Sequence, residues 1–471
     1  MHCSKTLRAP LFAIALASAA VSLLAAAPAR AESSILIDVE TGRVLRAENA
    51  AYPWYPASTT KLMTLYMTLS AIRDQRITPD TLFAVSPNAA AQAPTKMGFP
   101  VGMQVTVDNA IKMMMVKSAN DMAVLLAEGV GGSIEQFAQA MTETAHRLGM
   151  TESNFVNPNG LPDYGQIMSA RDLAILARAL IREFPEYSDY WHVPAIKYGR
   201  RVVRNYNPLL GRYPGADGMK TGFVCMSGFN LVATATRDNR QLIAVVLGAP
   251  SSSARSIKAA QLLEAGFMQG QSPLAFLTSP LKVDAIAAID ATPPDLTDEM
   301  CGRHRKRHHS DDEEADAGSD DAAQSDPQFA AALAALRAPM AKNLLLDPPA
   351  VTPVVVYTGP TRTADEIARL AAMPEAAPAK KKAKHKTASA AAAAHPAEGK
   401  KPLAKPKDGK PAAKTGGKSA AVIAPENKSA ATPWTPLSTS ALAANPPPDL
   451  KTAVPAPASA AKNSATANFQ Q

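Results

Sequence analysis

The sequence predicts an α/β domain whose antiparallel sheet is assembled from the two ends of one folded segment around a helical middle, followed by a long tail expected to be largely disordered. Three observations carry that expectation. Hairpin signatures stand far apart: residues 34–49 read SILIDVETGRVLRAEN, two apolar–polar runs around Thr41-Gly42, and NLVATAT and QLIAVVLGA flank RDNR at residues 237–240. Strand-like runs on both sides of a short polar turn are what a hairpin requires, and hairpins from distant parts of a chain can close one antiparallel sheet. Between them the apolar pattern becomes that of helices. Beyond about residue 301 the composition shifts to Ala, Lys and Pro with almost no aromatics, which cannot bury enough apolar surface to offset the entropy of ordering.

Each part of the chain has its own signal. Residues 1–31 carry Lys5 and Arg8, an apolar run from Leu11 to Ala27, and the small-x-small ending Ala29-Arg30-Ala31. That is the pattern of a secretory signal, with an uncleaved membrane anchor as its rival, and it predicts a periplasmic or envelope address. Residues 32–268 suffice for one substantial core. After Ser58, the positions Leu62, Met63, Leu65, Tyr66, Met67, Leu69 and Ile72 are apolar on nearly all sides, as in a helix buried all round. Further helical patterns run over residues 107–130, 133–150 and 169–184. Ser133 and Ser169 stand as N-caps with Gln136 and Asp172 three residues on, and Gly149 follows a last turn. The methionine-rich faces read as core filler.

Residues 269–301 form an extension with no signature of its own, and 302–471 the charged, then Ala/Lys/Pro-rich tail. The tail opens with GRHRKRHHSDDEEADAGSDD, a self-neutralising block in which His304, His308 and His309 have no ordered scaffold to make them metal ligands. Residues 379–418 hold twelve lysines against Glu398 and Asp408, a local +10, whereas all 471 residues sum to +8. Basicity therefore belongs to the tail and indicates attraction to a polyanionic envelope surface, with no nucleic acid expected. Residues 302–471 are accordingly expected to be dispensable for turnover of a small peptide.

The stretch YPASTTKLMT places Ser58 and Lys61 three residues apart where the buried helix begins, so both lie on one face, the spacing a nucleophile and its base require. Two companions follow in order, Ser118-Ala119-Asn120 and Lys220-Thr221-Gly222. Each element alone is weak: Ser279-Pro280-Leu281-Lys282, Ser86-Pro87-Asn88 and Lys414-Thr415-Gly416 fit the same templates. Pro280 spoils a buried helix start, and Lys414 lies in the tail. In order within one domain, the three elements are the set shared by penicillin-binding proteins and class A β-lactamases. PASTTKLMT, VKSANDMAVLLAE, NFVNPNGLPD, SARDLAILARAL and GADGMKTGFV closely resemble the serine-type D-alanyl-D-alanine carboxypeptidases, the low-molecular-weight penicillin-binding proteins. The resemblance covers about Ser33 to Met268.

That resemblance implies a penicillin-binding transpeptidase/β-lactamase-like fold, a central antiparallel sheet sandwiched between helical layers, acting on peptidoglycan stem peptides and inhibited by β-lactams, without metal or organic cofactor. It implies that Ser58 attacks the carbonyl of the penultimate D-Ala with Lys61 as base, kept neutral by burial, a helix N-terminus and Lys220. Ser118 would relay a proton to the leaving D-Ala, and Asn120 would hold the stem-peptide backbone. Lys220 and Thr221 would clamp the terminal carboxylate, Gly222 would let substrate approach the strand, and Arg255 occupies the place of an arginine near that carboxylate. The N–H groups of Ser58 and Phe223 would form the oxyanion hole.

Rival readings use the same groups. A β-lactamase needs a deacylating glutamate, and no Glu-x-x-Leu-Asn occurs between Asn120 and Lys220. A D,D-endopeptidase cutting cross-links shares the whole set, and a non-catalytic envelope-binding protein would rely on the tail. His146 and His192 lack sequence partners for a Ser-His-Asp site. Cys3 leaves with the signal, so Cys225 and Cys301 remain in a compartment that permits disulfides, and an even pair invites a bridge.

Overall fold

A computed structural model of the chain describes residues 32–269, 281–302 and 344–376. The secretory signal, the histidine–acidic block and the Lys-rich stretch lie outside the described residues. Strands β1 (Ser33–Asp38), β2 (Val44–Glu48), β7 (Ala216–Val224), β8 (Gly228–Arg237) and β9 (Arg240–Ala249) form one antiparallel sheet in the order β2-β1-β9-β8-β7. The two ends of the domain meet where β1 pairs with β9, Ile35 opposite Val245 and Ile37 opposite Ile243. Both hairpins are where the sequence puts them. In the second, Asp238 and Asn239 have φ of 50° and 59°, the left-handed pair that a two-residue turn needs to match strand twist.

Helices cover both faces of the sheet. Leu36, Leu231, Ala233 and Val246 pack under Ala259, Ala260 and Leu263 of α8 (Ser252–Gln269), while α6 (Ala170–Glu183) packs on β1 and β9 from the other side. This is why every residue of β1 is buried: a strand with helices on both faces has no solvent side. The helical middle comprises α1 (Lys61–Arg73), α2 (Pro87–Ala91), α3 (Val107–Val116), α4 (Asn120–Gly131), α5 (Ile134–Arg147), α6 and α7 (Asp189–His192). In α1 all but Ser70 and Arg73 are buried. Ser133 and Ser169 accept from the backbone N–H of Gln136 and Asp172, as their positions predict. Ser86, in one of the rejected motif matches, is simply the N-cap of α2, accepting from Ala89. Two small sheets complete this part, β3 (Leu82–Ala84) with β4 (Gln104–Thr106), and β5 (Ala195–Tyr198) with β6 (Arg201–Arg204).

One helical pattern is broken. Residues 107–130 read as continuous, yet the chain leaves the helix at Lys117 and restarts at Asn120, with Ser118 at φ 60°. No glycine or proline marks the break because a distant loop makes it: the Thr95 hydroxyl donates to the carbonyls of Lys117 and Ser118, and Asn120 N–H donates to Thr95 O.

The extension is folded onto the domain. Val44 N–H donates to Leu281 O, Val283 N–H donates to Gly42 O, and the buried Arg171 guanidinium donates to the carbonyls of Val283 and Asp284. At its far end α9 (Thr297–Cys301) follows a bond from Leu296 N–H to Met226 O, and Cys301 is disulfide-bonded to Cys225, Cα atoms 5.7 Å apart. The expected bridge is present. Residues 344–376 differ from expectation: β10 (Val354–Val356) joins β5 as a parallel strand, and α10 (Ala364–Ala372) follows behind a Thr363/Glu366 capping box. The β-branched run and the capping box are local signals that a composition averaged over the whole tail conceals. Among the described residues no helix is long and apolar enough to cross a membrane.

Replacing both Cys225 and Cys301 by serine releases a constraint spanning 76 positions, worth about 4 kcal/mol in the chain-entropy account. The thermal midpoint of the double variant is expected to fall well below that of the oxidised protein. An unchanged midpoint would mean that the hydrogen bonds of the extension suffice to hold it.

Candidate active site

Ser58 sits in a 3-10 turn, Ala57–Thr60, that runs directly into α1. Ala57 takes φ 49°, and the Thr59 hydroxyl donates back to Pro56 O, so the turn is wound tightly in front of the helix. Lys61, the first residue of α1, is fully buried, a costly place for an ammonium. Its Nζ lies 2.9 Å from Ser58 Oγ, 2.8 Å from Asn120 Oδ1 and 2.7 Å from Asn159 O. Burial first, and then the charge of Lys220, hold its pKa well below the ordinary lysine value, with Asp121 opposing. Hydrogen counting gives this meaning. The Asn120 and Asn159 oxygens can only accept, so a neutral amine donates its two N–H groups to them and turns its lone pair to the Ser58 hydroxyl.

The second motif arrives through the break between α3 and α4. Ser118 Oγ is 3.0 Å from Lys220 Nζ, and Asn120 Nδ2 donates to Ala93 O while its Oδ1 accepts from Lys61. Asp121 accepts from the N–H groups of Met97 and Gly98, tying the loop over residues 93–99 to the same turn. A left-handed serine costs of the order of 1–3 kcal/mol and persists only where its surroundings fix it. Here those surroundings are the bonds to Thr95.

Strand β7 supplies the third motif at the sheet edge. Lys220 is buried, and the Thr221 hydroxyl is buried without a hydrogen-bond partner, an arrangement in need of an external group. At Gly222 the close approach is made by the serine turn, where the sequence suggests substrate: a Cβ there would lie 2.8 Å from Ser58 N and 3.0 Å from Thr59 N. Phe223 follows, half-buried and packed on Phe229 at 4.2 Å between ring centroids. Arg255, buried at the start of α8, reaches the motif strand, its guanidinium donating to Gly222 O, Asn230 O and Ser252 Oγ. It supports the backbone of the motif. His146 is exposed on α5 and His192 lies on α7, neither among the partners of Ser58.

Sequence reasoning did not assign roles to Asn157, Asn159 and Gly160, although NPNG was in view. Asn157 Oδ1 accepts from Gly160 N–H, and Asn159 Nδ2 donates to Gln92, which together aim Asn159 O at Lys61. Gly160, at φ 79°, lies against the serine turn so closely that a Cβ would stand 1.8 Å from Ala57 O. Asn230 Nδ2 donates to Tyr55 O and Pro56 O and so fastens the turn to β8 from below. These bonds from Lys61 and Asn230 are received by backbone carbonyls, of Asn159 and of Tyr55 and Pro56, and the side-chain types of those residues give no warning of it.

Residues 20–251 match the family described as D-alanyl-D-alanine carboxypeptidase. The D-alanyl-D-alanine carboxypeptidase DacD of Salmonella typhimurium is 38% identical over 260 residues, covering 54% of this chain and 67% of its own length. The chain belongs to the D-alanyl-D-alanine carboxypeptidase family. The DacA protein of Haemophilus influenzae is 34% identical over 242 residues, or 50% of this chain, which spans 62% of that relative's length. Penicillin binding protein 6B from Escherichia coli aligns in three dimensions with a TM-score of 0.48 at 37% identity, over 50% of this chain and 76% of that one. In this carboxypeptidase-family chain, residues 281–302 and 344–376 lie beyond the matched family segment yet are folded onto it.

The tightest constraint on the site is Gly160, where backbone meets backbone. Gly160→Ala is expected to displace the serine turn and lower acylation of Ser58 by labelled penicillin at least a hundredfold, read from labelling rates in folded protein. A rate within threefold of wild type would show that the Asn159 loop does not position Lys61.

Proposed function

We propose that this protein is a serine D-Ala-D-Ala carboxypeptidase that removes the terminal D-Ala of peptidoglycan stem peptides. The observation that carries the reading is the Lys61 amine, fully buried, held by Asn120 and Asn159 and placed 2.9 Å from the Ser58 hydroxyl. A serine hydroxyl is a poor nucleophile until a base takes its proton, and a buried lysine beside another cation can be that base near neutral pH.

In the proposed cycle Ser58 Oγ attacks the carbonyl of the penultimate D-Ala as its proton passes to Lys61. The N–H groups of Ser58 and Phe223 receive the oxyanion, where one lost donor costs roughly 3 kcal/mol of transition-state stabilisation. The Ser118–Lys220 pair carries a proton to the departing D-Ala amine, and the peptide bond breaks to leave an ester on Ser58. Water then attacks the ester, its proton again taken within this network, and the shortened peptide leaves. Lys220 and the unpartnered Thr221 hydroxyl face the terminal carboxylate. Asn120 contributes geometry and its second amide N–H to the peptide backbone, Gly222 admits the serine turn, and Arg255 fixes the Gly222 carbonyl. β-Lactams are expected to acylate the same serine. The leader sequence supports action in the periplasm or envelope, and the Lys-rich stretch supports retention on a polyanionic surface that weakens as salt rises.

Adduct mapping tests the assignment: labelled penicillin should modify Ser58, whereas an adduct at Ser86 or equal labelling of Ser58→Ala would overturn it. Product analysis separates the rivals, since free D-Ala from a pentapeptide marks a carboxypeptidase and monomers from cross-linked muropeptides mark an endopeptidase.

Lys61 acts as a base only when neutral, so the acylation rate should rise with pH through its depressed pKa, well below 10.5, and level off above it. Lys61→Arg, which stays charged, is expected to lower the rate about a thousandfold and abolish that limb.

A further inference from the structure

Residues 344–376 bond to two pieces of the domain, the α3–β4 region and the β5–β6 hairpin, which also touch each other directly where α3 meets β5 and where the Tyr190 hydroxyl, on α7 just before that hairpin, donates to Asp108. On one side they bond to the helical part. Tyr357 N–H donates to Asn109 Oδ1 of α3 at 3.0 Å, both residues being buried, and Gly359 N–H donates to Gln104 O of β4 at 2.8 Å. The Asn109 amide is itself fixed by donation to Thr106 Oγ1. Helix α3 ends at Val116, two residues before Ser118.

On the other side they bond to the β5–β6 hairpin and the loop after it. β10 runs parallel to β5, with Val354 opposite Ile196 and Val356 opposite Tyr198. Lys197, buried, donates to Ala371 O and Met373 O at the C-terminal end of α10, where a helix presents unsatisfied carbonyls and negative potential. Arg200 donates to Pro374 O, Arg204 to Pro349 O and Arg212 to Leu346 O, while Leu346 N–H returns a bond to Arg212 O. The same loop is tied to the motif strand, because Asn207 Nδ2 donates to Gly218 O, two residues before Lys220. Tyr198, at the end of β5, also packs on Phe99 of the loop that holds Asp121 and Asn120, ring centroids 5.3 Å apart.

We propose that residues 344–376 are a brace supplied in cis that fixes the Ser118–Lys220 pair, so that the working catalytic unit runs to residue 376. The brace joins the helix that delivers Ser118 to the loop anchored on the strand that delivers Lys220, and those two side chains stand 3.0 Å apart. A hydrogen bond of that length tolerates little displacement, and small misplacements of catalytic groups are costly in rate. The grip falls largely on backbone carbonyls, which explains why the Ala/Lys/Pro-rich surroundings gave no hint of it. The consequence for rate rests on the carboxypeptidase reading; the consequence for structure does not.

The test uses full-length protein with Val356→Asp, which puts a carboxylate where the side chain is 1% exposed, and with Lys197→Met. Hydrogen exchange at Tyr357 and Gly359 reports release of the brace. Release is expected to speed amide exchange across residues 117–121 and 218–222 at least tenfold and to slow acylation of Ser58 by labelled penicillin about tenfold. Lys197→Arg, which keeps the cation, should restore both to within about threefold. If Val356→Asp does not fold, Lys197→Met alone decides. Released brace with exchange at 117–121 and 218–222 and acylation all within twofold of wild type overturns the proposal. Should wild-type protein fail to react with penicillin, the reading of the function falls, and the exchange data still decide the brace.

Discussion

The buried amine of Lys61 is the interaction on which the rest of the site depends. An ammonium in that position would be stable only with every N–H satisfied and a counter-charge nearby, and the structure supplies acceptors together with a second cation, Lys220. Burial and Lys220 shift the balance toward the neutral amine, with Asp121 opposing, and the neutral amine is the form that could take a proton from Ser58. Three segments far apart in sequence must converge to create this: the turn before α1, the break between α3 and α4 that brings Asn120, and the loop bearing Asn159. The fold can be understood as the means of bringing them within 3 Å of one nitrogen.

Much of the architecture was legible because its signals are local. The hairpin of β8 and β9 follows from Asp238-Asn239, the starts of α5 and α6 from Ser133 and Ser169, and the apolar α1 from residues packed on all sides. The three motifs were legible for a different reason: their residue types are unusual together, whatever the fold. Asn159 was missed because it contributes a carbonyl, which every residue has, and Gly160 because its importance lies in what it lacks. The break at Ser118 was missed because Thr95, from a loop more than twenty residues away, imposes it. Arg255 was legible as a candidate from its spacing, but its bonds to the Gly222 and Asn230 carbonyls were not, since spacing along a chain does not name backbone acceptors.

The regions beyond the matched family segment show how composition misleads at the scale of single elements. Averaged over residues 302–471, the tail lacks the apolar surface for a core of its own. Nine residues such as VTPVVVYTG need no core of their own. They need only an edge strand already folded and a few acceptors and donors in register, the arrangement by which an extended peptide adds to a sheet. The extension through Cys301 follows the same logic with a covalent end: it is pinned near Gly42 by backbone bonds and at Cys225 by sulfur. Both additions are stabilised by the domain that receives them.

Both serines of the site stand next to, or in, left-handed backbone: Ala57 immediately precedes Ser58, and Ser118 is itself left-handed. Neither residue is glycine, so each conformation is unfavourable by itself, and it survives because neighbours leave no alternative. At Ala57 those neighbours are Gly160 and Gly222, whose missing side chains let two other backbones close on the turn, and Asn230 beneath it. At Ser118 they are the Thr95 hydroxyl and the bond to Lys220. Relaxation of either turn would release local strain and simultaneously separate a hydroxyl from its amine. Stability of the site and geometry of the site are therefore set by the same contacts, and substitutions at the supporting glycines and asparagines should affect reactivity before they affect global folding.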